Sequence, residues 1–210
     1  VRGKYCLKNF LLIAKRKEQV MSEFVFILKS SPRENGNSNT LAGQVEAGAR
    51  AAGANVESLM LHHMNIRPCD ACDVCQETGV CIIKDDMQQV YPLLEKANAI
   101  VIAGPVYWFT ISAQAKLCID RWYALSLSEG KFHDKRIGIV LTYGDTDLYT
   151  SGGINAIHTF ESMFRYIGAE ITGMVYGSAY EIGDAEQQPE LMERAYQLGQ
   201  KLGTGQSTTN

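Results

Sequence analysis

Phe24-Val-Phe-Ile-Leu28-Lys29-Ser30-Ser-Pro-Arg-Glu-Asn-Gly-Asn-Ser-Asn-Thr40 is the stretch on which the fold turns. Its five leading β-prone apolar residues read as a strand buried on both faces, because a strand with one wet face would alternate. The turn that follows is dense in hydroxyl and amide side chains and holds one arginine. Residues 40–52, rich in alanine with Gly43 and Gly48, then read as a helix packed closely on a sheet. A helix N-terminus offers free backbone N–H groups and the positive end of its dipole, both of which favour a phosphate. Ser38, Asn39 and Thr40 can cap that helix and also donate to phosphate oxygens. The turn is neither Gly-x-Gly-x-x-Gly nor a Walker loop, having no Gly-Lys-Ser/Thr, so the standard dinucleotide and nucleoside-triphosphate readings fail. Taken alone, it is equally a polar turn that caps a helix.

Outward from this unit the pattern repeats. Residues 56–60 read as a second strand, less apolar and so nearer an edge, and 100–103, 137–141 and 171–176 as three more. Helical spacing covers 87–97, 111–125 and 154–167, the last stopped by Gly168, and Pro189 opens a final helix through 202. In 111–125, Ile111, Ala115, Cys118, Ile119 and Trp122 form one apolar stripe, which makes Cys118 a packing residue. Five strands alternating with five helices predict an α/β fold, a doubly wound parallel sheet with helices on both faces. Ligands of such sheets lie beyond the carboxyl ends of the strands. That selects three turns: the one above, Gly104-Pro-Val-Tyr-Trp-Phe109, and Thr142-Tyr-Gly-Asp145. The aromatics of the second suit the edge of a flat heteroaromatic ring. Three such turns at one sheet edge point to a single site.

The chain has 210 residues, 46% apolar and 20% charged, enough for one well-packed domain. No apolar run approaches the roughly 18–20 residues of a membrane helix. The net charge of −3 is uneven: residues 1–20 carry six basic side chains against Glu18, leaving −8 on the rest, too acidic for a nucleic-acid footprint. Residues 1–20 read as an extension foreign to the domain, since Met21-Ser-Glu leads directly into the first strand. The domain proper is expected over 21–203, with a loose tail at 204–210.

Cys69, Cys72, Cys75 and Cys81 form Cys-x2-Cys-x2-Cys-x5-Cys, four thiols within thirteen residues, in a loop spanning 65–86. Three cysteines at successive i+3 spacing with a Thr78-Gly79 return to a fourth can surround a cubane cluster, and ferredoxins use similarly tight spacing. Zinc, which usually takes two separated pairs, a disulfide, and free or redox-active thiols remain as alternatives. Asp70 and Asp73 interleave the cysteines and would lower a cluster's potential. No Ser/His/Asp or Cys/His pairing is legible, and His62 and His63 read as surface residues.

Ser31-Pro-Arg33 with Asn37-Ser-Asn-Thr40, then Pro105-Val-Tyr-Trp108, Lys116 and Asp120-Arg121, resemble the flavodoxin-like NAD(P)H-dependent FMN reductases over about residues 23–203. The cysteine loop followed by Asp85-Asp86 resembles their iron–sulfur flavoprotein branch, with Ala71 where that branch often has glycine. The resemblance implies strand order 2-1-3-4-5 and one FMN. Its phosphate would be held by Ser31, Arg33, Asn37, Ser38, Asn39 and Thr40. Its ring would be framed by Pro105, Val106, Tyr107 and Trp108 and by Tyr143, Gly144 and Asp145. A [4Fe–4S] cluster would sit on Cys69, Cys72, Cys75 and Cys81. The implied protein is a cytoplasmic homodimer or homotetramer. It would take electrons from NAD(P)H or a ferredoxin-like donor and pass them to a small-molecule acceptor, with no nucleic acid or membrane involved. Two other functions stay open: an NAD(P)H-dependent reductase of FMN or quinones without a working cluster, and a cysteine-based redox or metal sensor.

Overall fold

The structure, a computed structural model, describes residues 22–126 and 131–205. Cys6, the basic segment 1–20 and residues 206–210 lie outside the described residues. Strands β1 (Phe24–Lys29), β2 (Asn55–Met60), β3 (Ala99–Tyr107), β5 (Arg136–Tyr143) and β6 (Glu170–Ser178) run parallel in the order β2-β1-β3-β5-β6. A short β4 (Thr110–Ile111) folds back antiparallel onto the end of β3. Counting the long strands alone, this is the expected order 2-1-3-4-5, with the less apolar strand at an edge.

The continuous apolar runs follow from burial on both faces. Phe24, Phe26, Leu28, Ile100, Ile102, Ile137 and Ile139 face one core. It is completed by α3 (Met87–Lys96), α4 (Ala113–Asp120) and α6 (Gly153–Ile167). Val25, Ile27, Val101, Ala103 and Val140 face the other, against α1 (Asn37–Ala51) and α7 (Pro189–Gly203). The period-2 alternation therefore sorts residues between two cores rather than between core and water.

Three details differ from the sequence reading. Helix α1 begins at Asn37, not Thr40, because extended Gly36 (φ −70°, ψ 147°) already serves as its N-cap. Gly48 lies against the backbone of α7, not against the sheet. The expected helix 111–125 is interrupted: Ile111 belongs to β4, and α4 is separated from the short α5 (Tyr123–Ser126) at Arg121-Trp122. The apolar stripe itself is buried as expected, and burial pushes the Cys118 thiol up to about 12. Among the described residues no helix is long and apolar enough to cross a membrane.

Candidate functional site

The turn after β1 is built largely by its own polar side chains. Ser31 Oγ accepts from Arg33 N (3.1 Å) and lies 3.3 Å from Arg33 O. Asn39 Nδ2 donates to Arg33 O (2.8 Å) and Glu34 O (3.2 Å). Asn37 reaches across the sheet edge, donating through Nδ2 to Glu181 O (2.7 Å) and accepting from Ala185 N (3.1 Å). Helix α1 has no side-chain cap. Ser38, only 1% exposed, keeps a buried hydroxyl with no hydrogen-bond partner, and Asn39 Oδ1 is buried and unpartnered as well. A buried hydroxyl left orphaned beside an uncapped helix N-terminus fits an anion seated there.

This turn meets the ends of the neighbouring strands around a cavity of about 170 Å³. Ser31, Arg33, Asn37, Ser38, Pro105, Val106, Tyr107, Tyr143 and Gly144 all line it. Arg33 is its one basic lining residue and none is acidic. Asn39, Thr40, Trp108 and Asp145 do not line it. Pro105, Val106 and Tyr107 lie within β3 rather than beyond it, and the turn proper is Trp108-Phe109, joining β3 to β4. Both turn residues are left-handed (φ 47° and 68°), the pattern of a two-residue type I′ hairpin without the usual Asn or Gly. Trp108 is 91% exposed.

A fourth wall, from the loop after β6, was not singled out in the sequence: Ala179, Tyr180 and Ile182. The Tyr180 ring packs over Gly144, and Asp184 accepts from the Tyr180 and Glu181 N–H groups (2.9 and 2.8 Å) to shape the loop. Its legible signal was the same one used elsewhere, aromatic and small residues just past a strand's carboxyl end.

The cysteine loop is closed at its neck by the acidic pair. Asp86 Oδ2 accepts from Asn65 N (2.7 Å), and Asp85 Oδ2 accepts from Arg67 N (2.9 Å) and from Arg121 Nη1 (2.6 Å). Arg121 is fully buried and its partner nearly so, at 0% and 1% side-chain exposure. Burial opposes the Asp85 charge, yet the Arg121 hydrogen bond and the Arg67 and Met87 N–H groups prevail and hold its carboxyl below the usual range. Their pairing is not legible in the sequence, since Asp85 and Arg121 lie 36 residues apart.

Beyond the neck, Cys69 and Cys72 are exposed, while Cys75, on α2 (Val74–Thr78), and Cys81 are half-buried. All four line one apolar cavity of about 530 Å³, walled on its far side by Ile119, Trp122, Phe132, Met163 and Ile167. Burial, then the neighbouring Cys81 thiol, pushes Cys75 up. Among the described residues no three His, Cys, Asp or Glu side chains converge as ligands of one metal ion.

Ala71 and Asp73, between the cysteines, are left-handed at φ 54° and 58°. A Cβ in that region costs roughly 1–2 kcal/mol. Ala71→Gly is therefore expected to raise folding stability by about 1 kcal/mol, the glycine's extra unfolded-state entropy offsetting part of the relief. A urea midpoint unchanged or lowered would contradict that strain.

Fold and site together define a flavodoxin-like domain with a four-cysteine loop beside it. The chain belongs to the flavodoxin-like fold family, which it matches over residues 24–202. It is 28% identical over 182 residues to an iron–sulfur flavoprotein of Methanocaldococcus jannaschii, covering 83% of this chain and 93% of that one. A second iron–sulfur flavoprotein, from Methanosarcina thermophila, is 29% identical over 117 residues, which are 56% of this chain and only 61% of the relative. A Bacillus subtilis protein provisionally named an NAD(P)H-dependent FMN-containing oxidoreductase is 25% identical over 181 residues, 83% of this chain and 95% of its own. Among solved structures, an NAD(P)H:quinone oxidoreductase from Methanothermobacter marburgensis superposes with a TM-score of 0.71. Its identity is 22%, covering 86% of this chain and 97% of that one, a likeness of fold. These relatives are of the two kinds that the sequence motifs resembled.

Proposed function

We propose that this chain is an FMN-dependent oxidoreductase that passes electrons between a donor and an acceptor, with a [4Fe–4S] cluster on its four cysteines. The observation that carries the flavin is the buried, unpartnered Ser38 hydroxyl at the N-terminus of α1, in a cavity whose one charged side chain is Arg33. Ser38, Arg33 and the first-turn N–H groups would hold the phosphate, while Ser31, Asn37 and Asn39 keep the turn in shape. Pro105, Val106 and Tyr107 with Tyr143 and Gly144 would frame the ring, and Tyr180 and Ile182 would cover its edge. Bound FMN would supply hydride acceptance together with one-electron transfer, which lets a two-electron donor serve a one-electron carrier.

Ser38→Ala tests the phosphate site. Losing one hydrogen bond to a charged group is expected to weaken FMN binding about tenfold. The flavin-free protein should keep its melting temperature, because the hydroxyl has no protein partner to lose. Unchanged flavin affinity would move the phosphate elsewhere.

For the cysteines, the donor set is four thiols lining one cavity. Their tight Cys-x2-Cys-x2-Cys-x5-Cys spacing and the iron–sulfur flavoprotein names of the relatives support the cluster over zinc, which usually takes two separated pairs. Anaerobic preparation with iron and flavin analysis tests it: fewer than about two irons per chain with full FMN removes the cluster. The reading that then remains, favoured by the Bacillus subtilis relative's name, is an NAD(P)H-dependent reductase without a working cluster, marked by rapid flavin bleaching with NADPH. A protein that gains no flavin on reconstitution would favour the sensor instead. The thiols suit a reducing cytoplasm. Trp108, Phe109, Tyr180 and Ile182 leave exposed apolar surface of the kind a second copy covers, consistent with a homodimer or homotetramer.

A further inference from the structure

Cys81 differs from the other three cysteines in what holds it. Cys69 and Cys72 are exposed and Cys75 rides on the five-residue α2, whereas Cys81 packs against the core of α3, α4 and the sheet. Arg121 Nη2 stands 3.3 Å from its sulfur. The guanidinium is fixed there from other sides: Nη1 donates to Asp85 Oδ2 (2.6 Å) and Arg67 O (2.9 Å), and Nη2 reaches Asp85 Oδ1 (3.3 Å) and Ile83 O (3.4 Å). Its main chain is held as well, since the Tyr91 hydroxyl donates to Arg121 O (3.2 Å). A fully buried ion pair is a poor fastener, because desolvating both charges offsets most of their attraction and an apolar pair serves as well. What an apolar pair lacks is a donor aimed at a sulfur.

We propose that Arg121 is a positioning residue for the cysteine centre: its charge-assisted N–H···S bond holds the Cys81 sulfur in place and offsets the negative charge that reduction adds there. The inference rests on the reading that the four cysteines hold an iron–sulfur cluster. Reduction of such a centre adds one electron and moves no heavy atom, so hydrogen bonds to sulfur and nearby charge set its potential. Donation from a guanidinium favours the reduced form, and weakening that donation favours the oxidised form.

The test compares two variants of the full chain, reconstituted anaerobically with iron and sulfide and titrated by potential with spectroscopic detection of the cluster. Arg121→Lys keeps the charge but loses the planar fork that reaches Asp85 and Cys81 together. It should shift the reduction equilibrium about tenfold toward the oxidised form, ~59 mV downward for one electron. Asp85→Asn leaves Arg121 beside Cys81 and removes a negative charge, so its potential should rise. A residue that merely fastened the loop would give shifts of the same sign, since both changes loosen the same neck. Should Arg121→Lys fail to fold, the neutral double variant Arg121→Gln/Asp85→Asn takes its place and must still shift downward. Same-sign shifts, or a shift smaller than about twofold where the guanidinium is lost, overturn the inference. Wild-type protein with full FMN and no cluster iron overturns the cluster reading instead, and that outcome is read from iron content before any variant is compared.

Discussion

Arg121→Met is expected to lower folding stability by about 3–5 kcal/mol, because it leaves the Asp85 carboxylate buried and unpaired. The loss should appear as a lower urea midpoint at unchanged slope, and Asp85→Asn in the same background should recover most of it. Its pH dependence has a definite sign. In the wild type the Asp85 carboxyl is held below its unfolded value of about 3.9, so the pair's contribution is fully present above that value. It is lost as pH falls through the depressed folded value. In the variant the guanidinium is gone while burial and the Arg67 and Met87 N–H donors remain, so the folded value rises relative to the wild type. The variant's penalty is then present at neutral pH and relieved as the carboxyl protonates, and the gap to wild type should narrow as pH falls toward 4. A gap independent of pH, or a loss below about 1 kcal/mol, would show that removing Arg121 does not strand a buried Asp85 carboxylate.

Gly199→Val is expected to be damaging by a different route, at about 3 kcal/mol from forced overpacking. A Cβ on Gly199 would lie 2.0 Å from Val45 O, 2.8 Å from Val45 C and 2.9 Å from Ala49 N. These are backbone atoms of α1, so no rotamer change relieves the clash and the two helices must separate. The reciprocal contact is as close, with a Cβ on Gly48 falling 2.0 Å from Tyr196 O. Helix α1 carries Ser38 at its N-terminus, so its displacement should also weaken FMN binding by about tenfold or more, a loss of at least ~1.4 kcal/mol. Gly43→Ala on the same helix is the control. Its Cβ meets nothing within 4 Å, and replacing a helical glycine should stabilise by roughly 0.5–1 kcal/mol. Equal effects at both positions would refute the packing account. Both circular dichroism melts and flavin titrations read the difference.

Much of this was legible before the structure. The run 24–28, the later strands and the caps at Gly168 and Pro189 are local signals, and each produced an element where it was expected. Strand β4 was not legible, because two residues carry no periodicity, and the Trp108-Phe109 turn lacks the Asn-Gly signature that marks such hairpins. The helix start moved to Asn37 because Gly36, rather than a hydroxyl residue, sits at the cap. The loop at 179–182 carries a weaker signal than the other three turns, because its aromatic and apolar residues sit among acidic ones and its shape depends on Asp184 closing back onto it.

By itself the sequence determined the doubly wound alternation, the polar turn at the head of α1, the aromatic strand end and the spacing of four thiols. Those depend on neighbours a few residues apart, which a pattern records directly. Tertiary structure alone decided which polar groups are used up and which are left over. Asn37 is tied to Glu181 and Ala185, nearly 150 residues away, while Ser38 beside it has no partner. Arg121 meets Asp85 and Cys81 across 36 and 40 residues. Partners that distant are chosen by how the layers pack, because burial leaves each polar group only the donors and acceptors that the packing brings within reach.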